Sequence, residues 1–294
     1  MLTLYYTDHF DIPLPPGHKF PMRKYRMLRE ALEPTGLFDL RPAGMATGEE
    51  AALAHDPAYV QDFLNGTLSP QAIRRIGFPY SDFMVRRTMA SLGGTLAATR
   101  CALETGLSGC LAGGTHHAAY AEGSGFCVFN DIAVAIRALR KRAAVIDLDV
   151  HQGDGTASIF ENDPAVFTFS MHGANNFPFR KQRSSLDIDL PDHTEDNEYL
   201  RLLHLHLPKV LDFAPEVIFF QAGVDALTTD KLGRLNLTPA GMLARDRLVF
   251  ETILPTRIPL VITLGGGYSD PVEHTVNAHA ATFQEAARQL EITR

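Results

Sequence analysis

Short apolar runs that alternate with longer segments of helical periodicity are the feature that most constrains the fold of this chain. The apolar runs are rich in strand-forming residues and show almost no polar alternation: Leu2–Tyr6, Ala143–Leu148, Val166–Phe169, Val217–Phe220 and Leu260–Leu264. Strands of this kind are typical of parallel sheets whose two faces are both covered by helices. The sequence therefore predicts an α/β fold with a parallel sheet between layers of helices.

Helical spacing fills most of the chain between these runs. In the segment Asp82–Glu104, apolar residues recur three and four positions apart, which places them on one face of a helix. Further helices are predicted over Asn130–Arg140, Glu195–Phe213, Pro239–Leu254 and Pro271–Leu290. No repeat, linker or block of like charges interrupts the pattern, so we expect one domain over residues 1–294.

Composition excludes several classes of protein. With Lys+Arg 27 against Asp+Glu 34, the formal net charge of −7 argues against a nucleic-acid binder, which needs a basic surface to neutralise phosphates. The three cysteines form no CxxC or paired pattern, which suits a reducing compartment. The first residues carry no signal-peptide pattern, and no apolar run is long enough to span a bilayer. We therefore expect a cytoplasmic protein that binds neither nucleic acid nor membrane.

An Asp-x-Asp-x-His run follows the apolar strand that begins at Ala143. Ligands of parallel α/β proteins bind beyond the carboxyl ends of the strands, and Asp147, Asp149 and His151 lie at such an end. Side chains alternate along a strand, so these three point to one face. Gathering two carboxylates and an imidazole there is unfavourable without a cation, because the carboxylates repel each other and all three groups lose hydration. Zn²⁺ accepts all three as ligands. The alternative is a set of turn residues, with Asp154 capping the helix that follows.

A third metal ligand is expected from the end of another strand. The apolar strand that begins at Val217 is followed by a glycine and a single acid, Asp225. Asp149, His151 and Asp225 would form a three-ligand site with an open position for water, which is the pattern of catalytic rather than structural zinc. On its own, Asp225 is equally compatible with an ordinary turn residue.

Two adjacent histidines, His116 and His117, lie in a glycine-rich loop after a further short apolar strand. Imidazoles titrate near neutral pH, so such a pair suits proton transfer from a water molecule and to a leaving amine. Asp147 and Asp154 are carboxylates that could fix the tautomers of the two rings. The pair is also compatible with further metal ligands or with ordinary loop residues.

The last apolar strand ends in three glycines and a tyrosine, Gly265-Gly266-Gly267-Tyr268. This run lacks the GxGxxG spacing of a dinucleotide site and the lysine of a phosphate-binding loop. Glycines allow the backbone to approach a neighbouring group closely. A tyrosine hydroxyl that points into a cleft can stabilise the oxyanion of a tetrahedral intermediate. Packing of the Tyr268 ring at a helix start is the alternative.

In this order along the chain, the motifs resemble those of the zinc-dependent histone deacetylase family. The resemblance runs from about Tyr5 to Ala280 and rests on Gly-Gly-Thr-His116-His117-Ala, Gly125-Phe126-Cys127 with Asn130-Asp131, Asp147-Leu-Asp149-Val-His151-Gln-Gly-Asp154-Gly, Ala222-Gly-Val-Asp225-Ala-Leu and Leu264-Gly-Gly-Gly-Tyr268. Gln152, where many members have a second histidine, and the segment from Asp230 to Gly241 resemble most the class IV branch and its bacterial relatives.

The resemblance implies the arginase/deacetylase fold, a mainly parallel eight-stranded sheet between helices, and one Zn²⁺ on Asp149, His151 and Asp225. It implies that His116 and His117 transfer protons with support from Asp147 and Asp154, and that Tyr268 polarises the acyl carbonyl. It places Gly125 and Phe126 along the substrate tunnel and Leu232 near its mouth or floor, with Gly266 as a further substrate-binding residue. Arg26 would line an acetate exit channel. A potassium ion on main-chain oxygens of Asp147 to His151 and Ser170-Met171 is also usual in the family. The acidic rim residue of many class I members has no counterpart here.

The expected reaction is hydrolysis of the amide that joins an acyl group, acetyl in the first place, to an Nε-acyl-lysine or another amine. Acetylpolyamines and other small acetylated amines remain open as substrates. A ureohydrolase with two Mn²⁺ ions shares the fold but needs further carboxylates, and Asp225 is followed by Ala226 and Leu227. A non-catalytic acyl-ligand sensor is the last alternative. The sequence decides neither the oligomeric state nor the choice between Zn²⁺ and Fe²⁺ in the cell.

Overall fold

A single eight-stranded sheet organises the protein, for which a computed structural model describes residues 1–293. The strands are β1 (Leu2–Tyr6), β2 (Phe38–Pro42), β3 (Leu107–Cys110), β4 (Ala143–Asp147), β5 (Val166–Gly173), β6 (Leu186–Leu190), β7 (Val217–Gln221) and β8 (Leu260–Thr263). Their order across the sheet is β2-β1-β3-β8-β7-β4-β5-β6, and each neighbouring pair is parallel. The predicted parallel eight-stranded sheet is confirmed.

Helices flank this sheet, as predicted for an α/β fold. Those within residues 1–293 are α1 (Lys24–Leu32), α2 (Gly48–Ala51), α3 (Pro57–Asn65), α4 (Pro70–Ile76), α5 (Asp82–Thr105), α6 (Asp131–Leu139), α7 (Asp154–Phe160), α8 (Asp196–His206), α9 (Pro208–Asp212), α10 (Pro239–Ile253) and α11 (Val272–Thr293). The helices α1, α8, α10 and α11 pack against one another. The helix α5 packs on the strands β1, β3 and β8 and against α6. None of these helices is both long and apolar enough to cross a membrane.

The central strands form the core. Every residue of β4 and β7 is buried, and Ile146, Phe219 and Phe220 have no exposed surface. Full burial of a side chain of this size contributes roughly 1.5–3 kcal/mol to the stability of the fold. The strands that carry the loops of the candidate site are therefore firmly packed.

Several element boundaries differ from the predictions. The strands β2 and β6 have no apolar run because they are the partly exposed edges of the sheet and contain polar residues. The helix predicted over Glu195–Phe213 divides into α8 and α9 at Pro208, since proline cannot donate a backbone hydrogen bond and its ring crowds the preceding turn. β4 ends at Asp147, so Asp149 and His151 lie in the following loop rather than on the strand itself.

The order of the strands explains where a site can form. The neighbours β3, β8, β7 and β4 occupy the centre of the sheet, and because all are parallel, their carboxyl ends meet at one edge. The loops after these strands carry all the residues predicted for metal binding and catalysis. Ligands of open parallel sheets bind in this position.

Candidate active site

The structure brings together the three predicted metal ligands. Asp149, His151 and Asp225 are buried, and each offers a ligand atom that lies within 4.8 Å of the other two. His151 Nδ1 is 3.0 Å from Asp149 Oδ1 and 3.0 Å from Asp225 Oδ2. The second oxygen of each carboxylate accepts a backbone hydrogen bond, from Gly266 to Asp149 at 2.7 Å and from Val150 to Asp225 at 2.8 Å. One oxygen of each acid is thus turned toward the imidazole.

The electrostatics of this cluster favour a cation. Burial alone would lower the pKa of His151, but the carboxylates of Asp225 and Asp149 outweigh it and raise this pKa to about 10. Burial, reinforced by Asp149, raises the pKa of Asp225 to about 7. Burial also opposes charge on Asp149, but the imidazoles of His116 and His151 outweigh it and hold the pKa of Asp149 well below its usual range. The metal-free cluster therefore retains protons. Two carboxylates and one imidazole are a donor set that fits Zn²⁺, whose charge can replace those protons.

The predicted histidine pair lies beside the cluster, with one carboxylate for each ring. His116 Nδ1 is 2.7 Å from Asp147 Oδ2, and His117 Nδ1 is 2.6 Å from Asp154 Oδ1. The two ring centroids are 4.2 Å apart. Asp154 occupies the first turn of α7, and its carboxylate orients His117. The alternative interpretation of Asp154 was a helix cap.

The two rings differ in their protonation. Burial lowers the pKa of His117 to about 4, and the positive charge of His116 acts in the same direction. Burial also disfavours charge on His116, but Asp147 and Asp149 outweigh this effect and raise its pKa to about 9. Near neutral pH, His117 is thus neutral and His116 is cationic. Because a carboxylate can only accept, Nδ1 of His117 carries the proton and Nε2 is left as a base.

Tyr268 is anchored through its backbone. Its N–H donates to Asp230 Oδ2 at 2.6 Å, while Asp230 Oδ1 accepts from the N–H groups of Leu232 and Gly233. Burial raises the pKa of the Tyr268 hydroxyl well above its usual value, so the hydroxyl stays a hydrogen-bond donor. Tyr268 lines the cavity that contains the metal cluster. Asp230 was part of the family motif but had no predicted role.

An open cavity of about 410 Å³, which we call the mouth, leads to this site. Its lining includes His117, His151 and Tyr268 together with three of the predicted substrate residues, Gly125, Phe126 and Leu232. The remaining predicted substrate residue, Gly266, lies deeper, beside the metal cluster. Phe177, which the sequence did not reveal, packs edge-on against His117 with the ring centroids 5.0 Å apart. Its neighbour Phe179 is 89% exposed at the outer edge.

The expectation for Arg26 at an interior channel is wrong. Its side chain is 57% exposed, and its guanidinium lies 3.6 Å from Asp11 at the surface. A small interior cavity behind the site is lined by Arg87 instead. Side chains two positions apart on a helix point in nearly opposite directions, and Arg26 lies on the exposed side of α1. Lys24, two positions before Arg26 in α1, points inward.

Lys24 is a buried cation that the sequence did not reveal. Its side chain is almost wholly buried, and Nζ donates to the carbonyl oxygens of Gly265 and Gly267 at 3.3 Å each. The ammonium also lies 5.2 Å from the centre of the Tyr268 ring, with Phe20 and Tyr25 on its other sides. It therefore supports the glycine loop that carries Tyr268. The sequence did not indicate that Lys24 is buried, because other cations lie close to it in the same segment.

Other buried polar residues hold the loops in place. Asp131 accepts the backbone N–H groups of Gly114 and Thr115 in the histidine loop, and Gln221 donates to Gly114 O at 2.8 Å. Arg245 donates to the carbonyl oxygens of Leu148 and Gly223 and pairs with Asp246 at 2.7 Å. Asp131, Gln221 and Arg245 have no predicted role, and the loop groups that they bind lie 16 or more positions away in sequence.

The fold and the site together define the class. A parallel eight-stranded sheet with an Asp/His/Asp cluster and a histidine pair at its carboxyl edge is the arrangement that the resemblance to histone deacetylases predicted. A solved structure of acetylpolyamine aminohydrolase from Burkholderia pseudomallei superposes with a TM-score of 0.82 at 21% identity, covering 97% of this chain and 98% of that one. That likeness establishes the fold.

The family follows from sequence comparison. Residues 18–283 match the family model of the histone deacetylase domain. An uncharacterized protein of Picosynechococcus sp. is 43% identical, with 98% of each chain covered. Histone deacetylase 2 of Arabidopsis thaliana is 33% identical over 78% of this chain, which spans 63% of that relative's length. The chain belongs to the histone deacetylase family, as the sequence motifs predicted.

Proposed function

We propose that this protein is a zinc-dependent amidohydrolase that removes an acyl group, acetyl in the first place, from an Nε-acyl-lysine or an acylated amine. The observation that carries the proposal is a neutral His117, oriented by Asp154, beside the cluster of Asp149, His151 and Asp225. Membership of the histone deacetylase family supports a deacetylase.

The metal would be held by Asp149, His151 and Asp225. The chemistry that a bound Zn²⁺ supplies is Lewis acidity, which polarises the acyl carbonyl and favours ionisation of water near neutral pH. The remaining steps belong to side chains of this protein. Removal of a proton from the attacking water falls to Nε2 of His117, because that nitrogen is unprotonated at neutral pH.

Two further groups and a second step of His117 complete the proposed mechanism. The hydroxyl of Tyr268 donates a hydrogen bond to the oxygen that becomes negative during attack. The imidazolium of His116, held by Asp147, adds a positive charge next to His117. Protonated His117 then delivers its proton to the nitrogen of the leaving amine, so the same residue acts first as base and then as acid.

A potassium ion is a further part of the proposal. Its expected ligands are main-chain oxygens from Asp147 to His151 and at Ser170-Met171. Asp147 pairs with Ser170 in the register of β4 and β5, so the two segments are neighbours. An ion here would stabilise the loop that carries the metal ligands. A cytoplasmic location and the absence of nucleic-acid and membrane partners stay predictions.

Two other enzyme functions compete with an acyl-lysine hydrolase. The fold similarity to acetylpolyamine aminohydrolase keeps an acetylated small amine as the alternative substrate. A ureohydrolase with two metal ions needs more ligands than the one cluster found within residues 1–293. An acyl-ligand sensor would bind the same compounds without turnover.

A turnover screen separates these functions. Purified zinc-loaded protein is incubated with lysine peptides that carry acyl groups of increasing length, with mono-acetylated diamines and with a guanidino substrate, while elemental analysis counts the metal ions. We expect one Zn²⁺ per chain and release of the acyl group from lysine peptides. Two Mn²⁺ per chain with urea release, or binding without turnover at full metal occupancy, would overturn the proposal.

A further inference from the structure

A second depression adjoins the mouth. This depression, which we call the rim groove, has a volume of about 540 Å³ and is formed by residues 17–19, 21, 23, 231–232, 268–270 and 272. The mouth and the rim groove share Leu232 and Tyr268 as a common wall. A chain that places one side chain in the mouth can therefore continue directly into the rim groove.

The rim groove is basic although the chain as a whole is acidic. Its lining contains Lys19, Arg23 and Lys231 against a single carboxylate, Asp270, which pairs with Lys231 at 2.5 Å. A hydrogen bond from Lys231 and the nearby charge of Arg23 hold the pKa of Asp270 below its usual value. Within residues 1–293, neither Lys19 nor Arg23 forms an ion pair. Two exposed cations thus remain for a ligand.

The mouth adds no negative charge of its own. Its charged lining residues are Arg75 and Arg234, and no carboxylate lines it within the part of the chain that the structure describes. Each arginine pairs with an acid outside that lining, Arg75 with Glu122 and Arg234 with Asp192. A polyamine that entered the mouth would meet no lining carboxylate within residues 1–293, and its further ammonium groups would approach the exposed cations Lys19 and Arg23 of the adjoining rim groove.

On the basis of the proposed function, we propose that the rim groove binds an acidic residue next to the acyl-lysine of a peptide substrate. The acyl-lysine side chain fills the mouth, its backbone crosses the wall formed by Leu232 and Tyr268, and an adjacent Asp or Glu meets Lys19 and Arg23. The same charges select against acetylated polyamines. The substrate class of this enzyme is therefore an acyl-lysine peptide with acidic flanking residues.

Three peptides of equal length test this substrate class. Each carries one acetyl-lysine, flanked on both sides by Glu, by Gln or by Lys, and kcat/KM is measured at low and high ionic strength. We expect the Glu peptide to exceed the Gln peptide by about fivefold at low salt, because exposed charges contribute modestly and are screened as salt rises. A mono-acetylated diamine should react more slowly than either. Equal rates for the Glu and Gln peptides at low salt, or preference for the Lys peptide, would overturn the assignment.

Variants then locate the preference. In the K19Q/R23Q variant the ratio of the Glu to the Gln peptide should fall to about one, and in K19E/R23E the Lys peptide should become the best of the three. The matched control is K141Q/R257Q, which removes one lysine and one arginine just before β4 and β8, at the opposite edge of the sheet. It should keep the wild-type ratio. A ratio unchanged in K19Q/R23Q would exclude the rim groove.

Binding measurements keep this test separate from the proposed function. Fluorescence anisotropy of the three labelled peptides reports the charge preference even where no product forms. Absence of turnover for every peptide and for the mono-acetylated diamine, with the Glu peptide bound most tightly, would refute the hydrolase and retain the rim groove. Turnover of all three peptides with equal affinity would refute the rim groove and retain the hydrolase.

Discussion

His116 and His117 show how neighbouring residues of one type acquire different properties. Each ring donates from Nδ1 to a carboxylate, but His116 is also close to Asp149, whereas His117 lies next to the cationic His116. Burial disfavours charge on both rings and, together with the charge of His116, lowers the pKa of His117 to about 4; for His116, Asp147 and Asp149 outweigh burial and raise the pKa to about 9. Sequence predicted the pair and its two carboxylates, but the division of roles depends on distances that only the fold sets.

The Asp154→Asn variant should lose activity while it keeps its metal. Asparagine can hold the His117 ring through its amide group in the wrong tautomer, so Nε2 is no longer the free base. We expect kcat to fall by about 10²-fold or more at pH 7. Steady-state kinetics and elemental analysis measure the two effects. The control is Glu161→Gln, an exposed change at the end of α7. A kcat within about twofold of wild type would show that Asp154 does not orient the base.

Tyr268→Phe tests the proposed oxyanion donor. The change removes one hydroxyl and leaves the ring to pack against Lys24 and Phe126. Loss of a single oxyanion donor costs about 10²–10³-fold in kcat, and KM should change little. Tyr120→Phe, at an exposed tyrosine, is the matched control. Stopped assays over hours detect slow residual turnover, and near-normal kcat would remove Tyr268 from the mechanism.

Among the elements, the buried strands were the most predictable. The apolar runs at β4, β7 and β8 stand out because both faces of a central parallel strand are covered. The edge strands β2 and β6 did not stand out, since most of their residues are only partly buried and polar residues are tolerated there. The orientation of α1 was also out of reach. Its segment holds several cations, and nothing in their spacing distinguishes the buried Lys24 from the exposed Arg26.

Lys24→Met compared with Arg26→Met tests this orientation of α1. Methionine fills the space of Lys24 but cannot donate to Gly265 and Gly267, so the loop that carries Tyr268 loses its support. A hydrogen bond from a charged donor contributes about 1.5 kcal/mol, and we expect kcat to fall about tenfold. Lys24→Arg should restore part of the loss, and Arg26→Met should stay near wild type. Equal effects of the two methionine variants would contradict the structure.

Gly266→Ala should abolish metal binding through a single methyl group. A Cβ at this position would overlap the carboxylates of Asp225 and Asp149, so the ligands cannot keep their places. Isothermal titration with Zn²⁺ measures the loss, which we expect to exceed about 10²-fold in affinity. Gly44→Ala is the control, because a Cβ there meets no neighbouring atom within 4 Å. Wild-type affinity in Gly266→Ala would show that the cluster does not bind the metal as described.

At the scale of the whole molecule, the site depends on strand order. The loops after β3, β4, β7 and β8 are far apart in sequence and meet because these strands are neighbours. Sequence predicted each loop separately, and the family resemblance supplied their meeting point. The resemblance did not predict the role of Arg245, a buried residue of α10 that joins the loops after β4 and β7. An arginine in a helical segment of sequence cannot be distinguished from a surface residue.

The charges gathered at this meeting point predict how stability depends on pH without metal. The pKa of His151 is raised to about 10 and that of His116 to about 9, so each ring contributes stability that is complete below pH 6.5 and lost as pH rises through those values. Asp225, with a pKa raised to about 7, contributes stability that is complete below pH 3.8 and lost as pH rises through 7. All three effects have the same sign: the contribution of Asp225 is lost by about pH 7, and those of His116 and His151 are lost between pH 6.5 and their raised pKa values.

The metal-free protein should therefore become less stable over this interval. The free energy of unfolding falls by up to about 1.4 kcal/mol per pH unit for each proton released, and each kcal/mol corresponds to about 2 °C in Tm. The stability of the zinc-loaded protein should fall less steeply, because the ligands His151 and Asp225 are already deprotonated and only His116 still releases its proton. Thermal unfolding with and without chelator measures the gap in Tm, which should widen from pH 6.5 to 9.

In Asp225→Asn, the metal-free protein should show a flatter curve, since His151 loses its strongest partner. Parallel curves for the loaded and metal-free protein would show that the cluster does not exchange protons for a cation.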